Sequence, residues 1–298
     1  MKPVDTTKIP TGLDLYLEAA QNASSAVIAS YSTSFGLASK LLPKQIRRHV
    51  ENIYALVRVA DELVDGSAAE AKAQGGNIDP GTALNELERE VYRAISARFS
   101  SNLIVHSFAH TANQTGFGRT IIEPFFTSMR MDLWKTRHSP DTFEKYVYGS
   151  AEVVGLMCLQ AFIEGKDYSK KDKAKLVSGA RALGSAFQKV NFLRDLAADA
   201  HKLGRTYFPR VTPETLTDSE KDRIVAEIRS ELATASEALR MLPREVRPAV
   251  AAALMLFNEL NEQIGHTPAA AVVTVRISVP NSRKLLIALK AWIGIQPK

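Results

Sequence analysis

Apolar residues recur every three or four positions along almost the whole chain, which is the spacing of helices that bury one face. The two-residue alternation of a half-buried strand is rarely sustained. Glycine and proline cluster between the periodic segments, where they mark helix ends. The sequence therefore predicts an all-α protein. We expect its helices over residues 13–30, 44–65, 83–98, 101–111, 121–135, 140–164, 170–201, 213–241, 245–264 and 282–292.

One segment interrupts the helical pattern for long enough to form a loop. Residues 66–81 are small, polar and rich in glycine, so we predict a flexible surface loop there. Residues 1–12 are polar and contain two prolines, and we predict that they are flexible as well. No other segment is long enough to separate two cores, and 298 residues can form one large core. We therefore predict a single-domain helical bundle over residues 1–298.

The composition excludes some kinds of site and is compatible with several kinds of partner. The chain has a single cysteine, Cys158, which excludes an intrachain disulfide and a cysteine-rich metal site. No secretory signal and no apolar run of about 20 residues is visible, so we expect a cytoplasmic protein. The net charge of +6 would suit nucleic acid, an anionic membrane surface or a phosphorylated substrate. A basic face formed by Lys40, Lys44, Arg47 and Arg48 could hold the protein at the inner face of a membrane.

The helix predicted over 44–65 has a narrow polar stripe on an otherwise apolar segment. The stripe is formed by residues that helical geometry places on one side: Tyr54, Arg58, Asp61 and Asp65. A surface helix would instead show a broad polar face beside its apolar stripe. We infer a buried helix whose polar stripe faces something polar.

A second stripe of the same kind lies in the helix predicted over 170–201. Its polar members are Gln188, Asn191, Asp195 and Asp199, and apolar residues surround them. Each stripe ends in an Asp-x-x-x-Asp sequence, which places two carboxylates one helical turn apart. We refer to Asp61 and Asp65 as the first pair, and to Asp195 and Asp199 as the second pair.

Four buried carboxylates repel one another unless a cation compensates them. Mg²⁺ binds oxygen ligands and typically takes one or two carboxylates together with water and substrate phosphates. Two facing pairs would therefore hold a Mg²⁺–diphosphate cluster, and nearby arginines could complete the anion's shell by forked hydrogen bonds: Arg58, Arg194 and Arg205. The plainer alternative is that each pair lies on a solvated face and that Arg58 and Asp61 form an ordinary ion pair within one helix.

The two stripes are similar to the aspartate-rich motifs of the head-to-head prenyl synthases, the squalene/phytoene synthase family. The first family motif, Tyr-Ala-x-x-Arg-x-x-Asp-(Asp/Glu)-x-x-Asp, matches residues 54–65. The second, Gln-x-x-Asn-x-x-Arg-Asp-x-x-x-Asp followed by Gly-Arg-x-Tyr-x-Pro, matches residues 188–199 and 204–209. Shorter segments resemble the family at 32–43, 131–133, 146–157 and 276–285, the last with phytoene synthases in particular. The resemblance covers most of residues 25–293.

This resemblance implies the isoprenoid synthase fold, a helical bundle with a central cavity. It implies the head-to-head condensation of two geranylgeranyl diphosphates to phytoene, a step of carotenoid biosynthesis, through a cyclopropyl diphosphate and with release of diphosphate. Mg²⁺, with Mn²⁺ as the alternative, would be held by the first and second pairs and would assist loss of the diphosphates. The cavity would have to exclude water, which would quench the carbocations.

The family motifs also imply residue roles in this chain. The catalytic residues would be Tyr54, Arg58, Asp61, Tyr148 and Asp195, and the metal ligands Asp61, Asp65, Asp195 and Asp199. Substrate would be bound by Ser32, Ser34, Arg58, Gln188, Asn191, Arg194, Arg205 and Tyr207. The aromatic faces of Tyr54 and Tyr148 could stabilise a carbocation without trapping it, although a tyrosine in a helical core more often serves packing.

Two residues depart from the family pattern: Glu152 replaces the usual glycine, and Ala198 replaces a common glutamate. Glu152 either faces the cavity and alters its shape or charge, or points outward without effect. The first alternative function is a squalene, dehydrosqualene or presqualene diphosphate synthase that uses farnesyl diphosphate, but the lack of a nicotinamide motif favours a non-reductive product. A catalytically inactive relative remains open. A non-catalytic basic protein that binds nucleic acid or membrane would leave both stripes unexplained, so we expect no nucleic-acid partner.

Overall fold

The structure, a computed structural model, describes residues 11–295 apart from the side chains of residues 33–35 and 202. Across this range the chain is helical, and its β contact is an isolated parallel bridge between Arg137 and Thr206. The prediction of an all-α protein is confirmed. The helices are α1 (Gly12–Tyr31), α2 (Thr33–Ser39), α3 (Lys44–Asp65), α4 (Ser67–Ala73), α5 (Pro80–Ala97), α6 (Leu103–Thr115), α7 (Arg119–Asp132), α8 (Pro140–Val147), α9 (Val153–Phe162), α10 (Lys170–Arg194), α11 (Leu196–Lys202), α12 (Asp218–Leu239), α13 (Arg247–His266), α14 (Ala269–Val272) and α15 (Asn281–Trp292), and a π-helical segment, Tyr148–Glu152, joins α8 to α9.

Local signals set several helix ends. Thr11 and Asp14 form a capping box at the start of α1, where the Asp14 N–H donates to Thr11 Oγ1 at 3.2 Å. Ser139 caps α8, and Pro140 occupies its first position, where no backbone donor is needed. The helix predicted over 44–65 is α3 without change. Such caps explain why many predicted boundaries lie within a few residues of the observed ones.

The segment predicted as a loop, 66–81, is partly helical, so that prediction was wrong for its first half. Four alanines favour the helix α4 within it, and one of them, Ala68, is buried. The following helix, α5, begins at Pro80, and Asp79 caps it by accepting from the Thr82 N–H at 2.8 Å. The flexibility predicted for residues 1–12 falls almost entirely on residues outside the described range.

Two predicted helices are interrupted in the structure. The helix predicted over 140–164 contains the π-helical segment, where Gly149 packs so closely on α7 that an added Cβ would lie 2.2 Å from the carbonyl oxygen of Pro124. The helix predicted over 170–201 stops at Arg194, and Asp195, with φ −102° and ψ 8°, turns the chain into α11. The members of the second pair therefore lie on either side of a helix break.

Two hydrophobic clusters form the core. The first includes Val190 and Leu193 of α10, and the second includes Ile53 of α3 and Phe126 of α7. Cys158 on α9 packs against both clusters and keeps some accessible surface, although burial raises its pKa to about 12. Cys158 therefore lies where the two clusters meet.

Contacts of α9 with both α3 and α10 join the two clusters. The single domain over residues 1–298 stays a prediction. Within residues 11–295, no helix combines the length and the apolar character needed to cross a bilayer.

Candidate active site

The first pair lies at the C-terminal end of α3, where Asp61 and Asp65 occupy successive turns. Arg58, one turn earlier, donates from Nη1 to Asp61 Oδ2 at 2.6 Å and from Nη2 to Glu62. The guanidinium carbon of Arg58 also lies 4.3 Å from the centre of the Tyr31 ring on α1. The ion pair within one helix that the plainer alternative expects is therefore present, but it engages only one carboxylate of the pair.

Arg205 holds the other carboxylate of the first pair from a distant part of the chain. It follows α11 after a turn at Gly204, whose φ of 65° favours glycine. Its guanidinium donates to the carboxylate of Asp65 and, at 2.6 Å, to the backbone oxygen of Asp132. The isolated bridge holds this loop, since the Thr206 N–H donates across it at 2.9 Å. The end of the second family motif is thus bound to the ends of α3 and α7.

The second pair straddles the break between α10 and α11. Asp195 accepts from Arg194 Nη2 at 2.5 Å and from Arg276 Nε at 2.8 Å. Arg276 belongs to the segment between α14 and α15, so the C-terminal region reaches the site. The carboxylates of Asp195 and Asp65 both lie close enough to Asp199 to raise its pKa. The two pairs therefore face each other across a shared space, which we call the carboxylate recess.

Negative charge in the carboxylate recess is not balanced by the protein alone. Burial and the nearby Asp65 carboxylate raise the pKa of Asp61 to about 6, in spite of Arg58. Burial and the carboxylates of Asp195 and Asp65 raise the pKa of Asp199 to about 7. The Asp61 side chain nevertheless keeps 34% of its surface accessible. Asp61 is therefore accessible to a cation, although burial and Asp65 disfavour its charge.

Burial acts to raise the pKa of two further carboxylates, but the net shifts have opposite signs. At Asp195 burial raises the pKa, but the hydrogen bonds from its two arginines outweigh that effect and leave the pKa lowered. At Asp132 burial and the Asp65 carboxylate raise the pKa to about 8, in spite of Arg205. Asp132 Oδ1 is also buried and accepts no hydrogen bond in the described part of the chain, although Arg205 Nη1 forms an ion pair with it at 3.7 Å. The recess therefore contains two carboxylates anchored by arginines, Asp65 and Asp195, and others that a cation would stabilise.

The donor set fits Mg²⁺ that arrives together with a diphosphate. Among the described residues, no three His, Cys, Asp or Glu side chains are arranged to hold a metal ion by themselves. Mg²⁺ needs only one or two carboxylates when substrate phosphates and water supply its other oxygens. Such a cation would relieve the raised carboxylate pKa values and the missing hydrogen bond at Asp132 Oδ1.

An aromatic cluster adjoins the carboxylate recess. The Tyr146 hydroxyl donates to Asp132 Oδ2 at 2.8 Å. The Tyr207 ring stacks on Phe192 with 4.0 Å between ring centres, lies 5.2 Å from the Tyr146 ring and forms a side-chain hydrogen bond with Arg205. Sequence reasoning included Tyr207 but gave no role to Asp132 or Tyr146. Both lie in segments that resemble the family, 131–133 and 146–157, which was the available signal.

Tyr148 contacts α10 at Arg181, away from the end of the helix where the second pair lies. The guanidinium carbon of Arg181 lies 5.2 Å from the centre of the Tyr148 ring, and Arg181 Nε donates to Glu152 Oε2 at 2.6 Å. The charge of Glu152, which departs from the family pattern, is thus paired with an arginine. The structure brings Tyr146, rather than Tyr148, to the carboxylates.

The remaining predicted residues lie along the two stripes and at the end of α1. Tyr54 is half-buried, and its hydroxyl forms a hydrogen bond with the side chain of Ser32. The side chain of Ser34 lies outside the described residues. Gln188 Nε2 donates to a serine hydroxyl of the π-helical segment at 3.3 Å, and Asn191 is half-buried on the same stripe.

Comparison with known proteins shows the family. A family model described as squalene/phytoene synthase matches residues 28–283. The chain is 28% identical to the bifunctional lycopene cyclase/phytoene synthase of Colletotrichum graminicola, over 88% of this chain and 50% of that protein. It is 28% identical to the chloroplastic phytoene synthase 2 of Zea mays, over 89% of this chain and 61% of the relative. It is 29% identical to the 15-cis-phytoene synthase of Synechocystis sp., over 91% of this chain and 83% of that protein. The chain thus spans between half and two thirds of the length of the first two relatives.

Solved structures share the fold at lower identity. A dehydrosqualene synthase in complex with ligand has a TM-score of 0.67 at 21% identity, covering 93% of this chain and 96% of that one. Squalene synthase HpnC from Alicyclobacillus acidocaldarius has a TM-score of 0.71 at 18% identity, and the match covers 85% of this chain and 97% of that one. The bundle therefore has the isoprenoid synthase fold, as predicted. Because the family model matches most of its length, the chain belongs to the squalene/phytoene synthase family of head-to-head prenyl synthases.

Proposed function

We propose that this chain condenses two geranylgeranyl diphosphates head to head into phytoene and releases both diphosphates. The observation that carries the proposal is the carboxylate recess, in which the two pairs face each other with raised pKa values at Asp61 and Asp199. The names of the curated relatives, which include 15-cis-phytoene synthase, support geranylgeranyl diphosphate as the substrate. Uncompensated carboxylates destabilise a fold, so their presence favours an active enzyme over an inactive relative.

The first and second pairs would hold the cations, Mg²⁺ or Mn²⁺, with substrate phosphates completing the coordination. Bound there, the cations supply positive charge that weakens the bond to the leaving diphosphate. Arg205 keeps Asp65 in place, and Arg194 and Arg276 keep Asp195 in place, all through charged hydrogen bonds. Guanidinium groups carry several donors, so these arginines can also bind phosphate oxygens.

The reaction requires two ionisations and the loss of two protons. In the first stage the C–O bond of one substrate breaks and its diphosphate leaves. The double bond of the second substrate attacks the allylic cation, and loss of a proton closes a cyclopropane ring to give prephytoene diphosphate. In the second stage this diphosphate leaves, the ring rearranges, and loss of another proton forms the central double bond. No reductant is consumed.

Side chains next to the recess would protect the carbocations. The half-buried ring of Tyr54 can stabilise positive charge through its face without forming a bond to it, whereas the rings of Tyr146 and Tyr207 are buried and stacked on each other. Tyr148 is less suited to this role, because the guanidinium of Arg181 already lies over its ring. The packed aromatic cluster also keeps water from the reacting carbons.

The solubility of the substrates and the product indicates where in the cell the enzyme would work. Prenyl chains and a C40 hydrocarbon leave water for lipid. A cytoplasmic enzyme in contact with the inner face of a membrane fits that chemistry.

Product analysis tests the substrate. The protein is incubated with Mg²⁺ and radiolabelled C15 or C20 diphosphate, with and without a reduced nicotinamide, and the hydrocarbon is extracted. We expect a C40 product from the C20 substrate, independent of the nicotinamide, and none from the Asp61→Asn control. Preferential conversion of farnesyl diphosphate would establish the alternative function. Lack of turnover with either substrate would indicate an inactive relative.

A further inference from the structure

The last helix, α15, presents an apolar face to solvent. Leu285, Leu289 and Trp292 are 64%, 52% and 67% exposed, and they follow one another at helical spacing on one side. On the other side Ile287 and Ala291 are buried, and α15 contacts α13 and α2. The exposed side is therefore not used for packing within the described chain. We call Leu285, Leu286, Leu289, Trp292 and Ile293 the α15 face.

The segment that contains α15 carries only basic charge in its own sequence, and two of its arginines, Arg283 and Arg276, pair with Glu259 and Asp195 from other parts of the chain. No acidic residue occurs from 263 to 298, whereas the same stretch contains five basic ones: Arg276, Arg283, Lys284, Lys290 and Lys298. A surface with an apolar centre in a basic segment fits a partner that is anionic outside and apolar inside. A second copy related by a twofold axis would place the same basic segment against itself. Charge complementarity therefore favours an anionic lipid bilayer over self-association.

The length of α15 decides how it would lie on a bilayer. Its 12 residues form a helix about 18 Å long. The hydrocarbon core of a bilayer is about 30 Å thick, so α15 cannot cross it. It would lie in the plane of the interface with the α15 face inward, and Trp292 would be at the level of the headgroups.

We propose that the α15 face docks the protein on an anionic lipid bilayer. This surface is distinct from the basic face formed by Lys40, Lys44, Arg47 and Arg48. It begins a few residues after Arg276, which donates to Asp195 in the carboxylate recess. Docking through α15 keeps the recess near the bilayer, where substrates with lipid-soluble chains are concentrated. The proposal does not depend on which prenyl diphosphate the enzyme uses.

Vesicle co-sedimentation of the full chain tests the docking surface. The vesicles contain phosphatidylcholine alone or with phosphatidylglycerol. L285S/L289S removes the centre of the α15 face, and L13S/L15S, whose leucines are 54% and 57% exposed on α1, is the matched control. We expect binding of the unaltered chain and of the control to anionic vesicles. In L285S/L289S binding should fall at least about tenfold, with an unchanged thermal unfolding temperature because the leucines are exposed.

Tryptophan emission separates insertion from loose charge attraction. The chain has two tryptophans, Trp134 and Trp292, so W134F leaves Trp292 as the reporter. Its emission should shift to the blue with anionic vesicles, because the indole leaves water. Full binding by L285S/L289S, or no blue shift, would overturn the proposal. So would a concentration-dependent dimer that L285S/L289S abolishes without any vesicle binding by the unaltered chain.

Discussion

The two aspartate pairs of the carboxylate recess are held in different ways. The first pair lies on one continuous helix, α3, so helical geometry sets its spacing. The second pair is divided by the end of α10, and a tertiary contact from Arg276 helps to hold Asp195. Each pair nevertheless combines one carboxylate anchored by an arginine from another part of the chain with one whose pKa is raised.

In each pair, therefore, one carboxylate sets the position of the pair and the other carries a charge that the fold disfavours. The anchored carboxylates, Asp65 and Asp195, fix where the pairs lie. The raised pKa values of Asp61 and Asp199 show that the folded chain disfavours their charge, which a cation would stabilise. Substitutions within one pair should therefore have opposite effects on stability, and all of them should impair the proposed metal binding.

Asp61→Asn and Asp199→Asn should have the largest effect on turnover. Each removes a charge from the proposed metal site with little change in size. We expect turnover to fall at least ~10³-fold, because stabilisation of the leaving group by a metal ion contributes several kcal/mol. The unfolding temperature should stay the same or rise, since a charge that burial disfavours is gone. Product formation and thermal unfolding measure the two effects.

Asp195→Asn is the matched comparison for these variants. It should also lose turnover, but its unfolding free energy should fall by about 1 kcal/mol, because charged hydrogen bonds from Arg194 and Arg276 are weakened. Equal stability changes in Asp61→Asn and Asp195→Asn would contradict the difference between a carboxylate whose pKa is raised and one whose pKa is lowered.

Arg205→Met should be the most destabilising change in the recess. The Arg205 guanidinium is buried and pairs with the half-buried carboxylate of Asp65 and the buried carboxylate of Asp132, so its loss leaves both without their shared cation. We expect a loss of about 3 kcal/mol in unfolding free energy, measured by denaturant titration. Arg89→Met, at an exposed surface pair, should change stability by less than about 0.5 kcal/mol. Similar losses in both variants would argue against the anchoring role.

Without divalent cations, the stability of the fold should depend on pH, because several carboxylates in the recess have raised pKa values. Burial and Asp65 raise the pKa of Asp132 from 3.8 to about 8, so the folded chain keeps a proton that the unfolded chain loses between these values. The stability from that proton is complete below 3.8 and is lost as the pH rises through about 8. Asp61 and Asp199 act in the same direction, whereas Asp195 opposes it. The unfolding temperature should fall from mildly acidic to mildly alkaline buffer, and by less in Asp132→Asn.

Tyr146→Phe should have a small effect, and Tyr148→Phe a smaller one. Loss of the Tyr146 hydroxyl removes the hydrogen bond to Asp132, at a cost of about 1 kcal/mol in stability and with a measurable loss of turnover. The Tyr148 ring, which lies by Arg181, is retained in Tyr148→Phe. A larger loss of turnover in Tyr148→Phe than in Tyr146→Phe would restore the role that the sequence suggested for Tyr148.

Sequence spacing predicted the parts of the site that lie on a single helix. α3 runs over the predicted residues, and its polar stripe carries Arg58, Asp61 and Asp65 as expected. Helical periodicity fixes which side chains share a face, so no other part of the fold was needed. The alanine-rich helix Ser67–Ala73 was missed because glycines and polar residues around it outweighed its own helical propensity.

The residues that join the two pairs could not be placed from sequence. Arg205 meets Asp65 across 140 positions, and Arg276 meets Asp195 across 81. Neither contact has a local signature, because both depend on how loops pack at the ends of helices. The break at Asp195 was also missed, since the residues on both sides of it favour a helix.

Joint binding of Mg²⁺ and diphosphate is the property that the proposed function requires of the carboxylate recess. Thermal unfolding of the full chain is measured with Mg²⁺ alone, with inorganic diphosphate alone and with both together. We expect a large rise in unfolding temperature only when both are present, because the pairs and the phosphates share the cation. The rise should be lost in Asp61→Asn and in Asp199→Asn. A rise that survives in both variants, or none with the unaltered chain, would contradict a recess built to bind magnesium diphosphate.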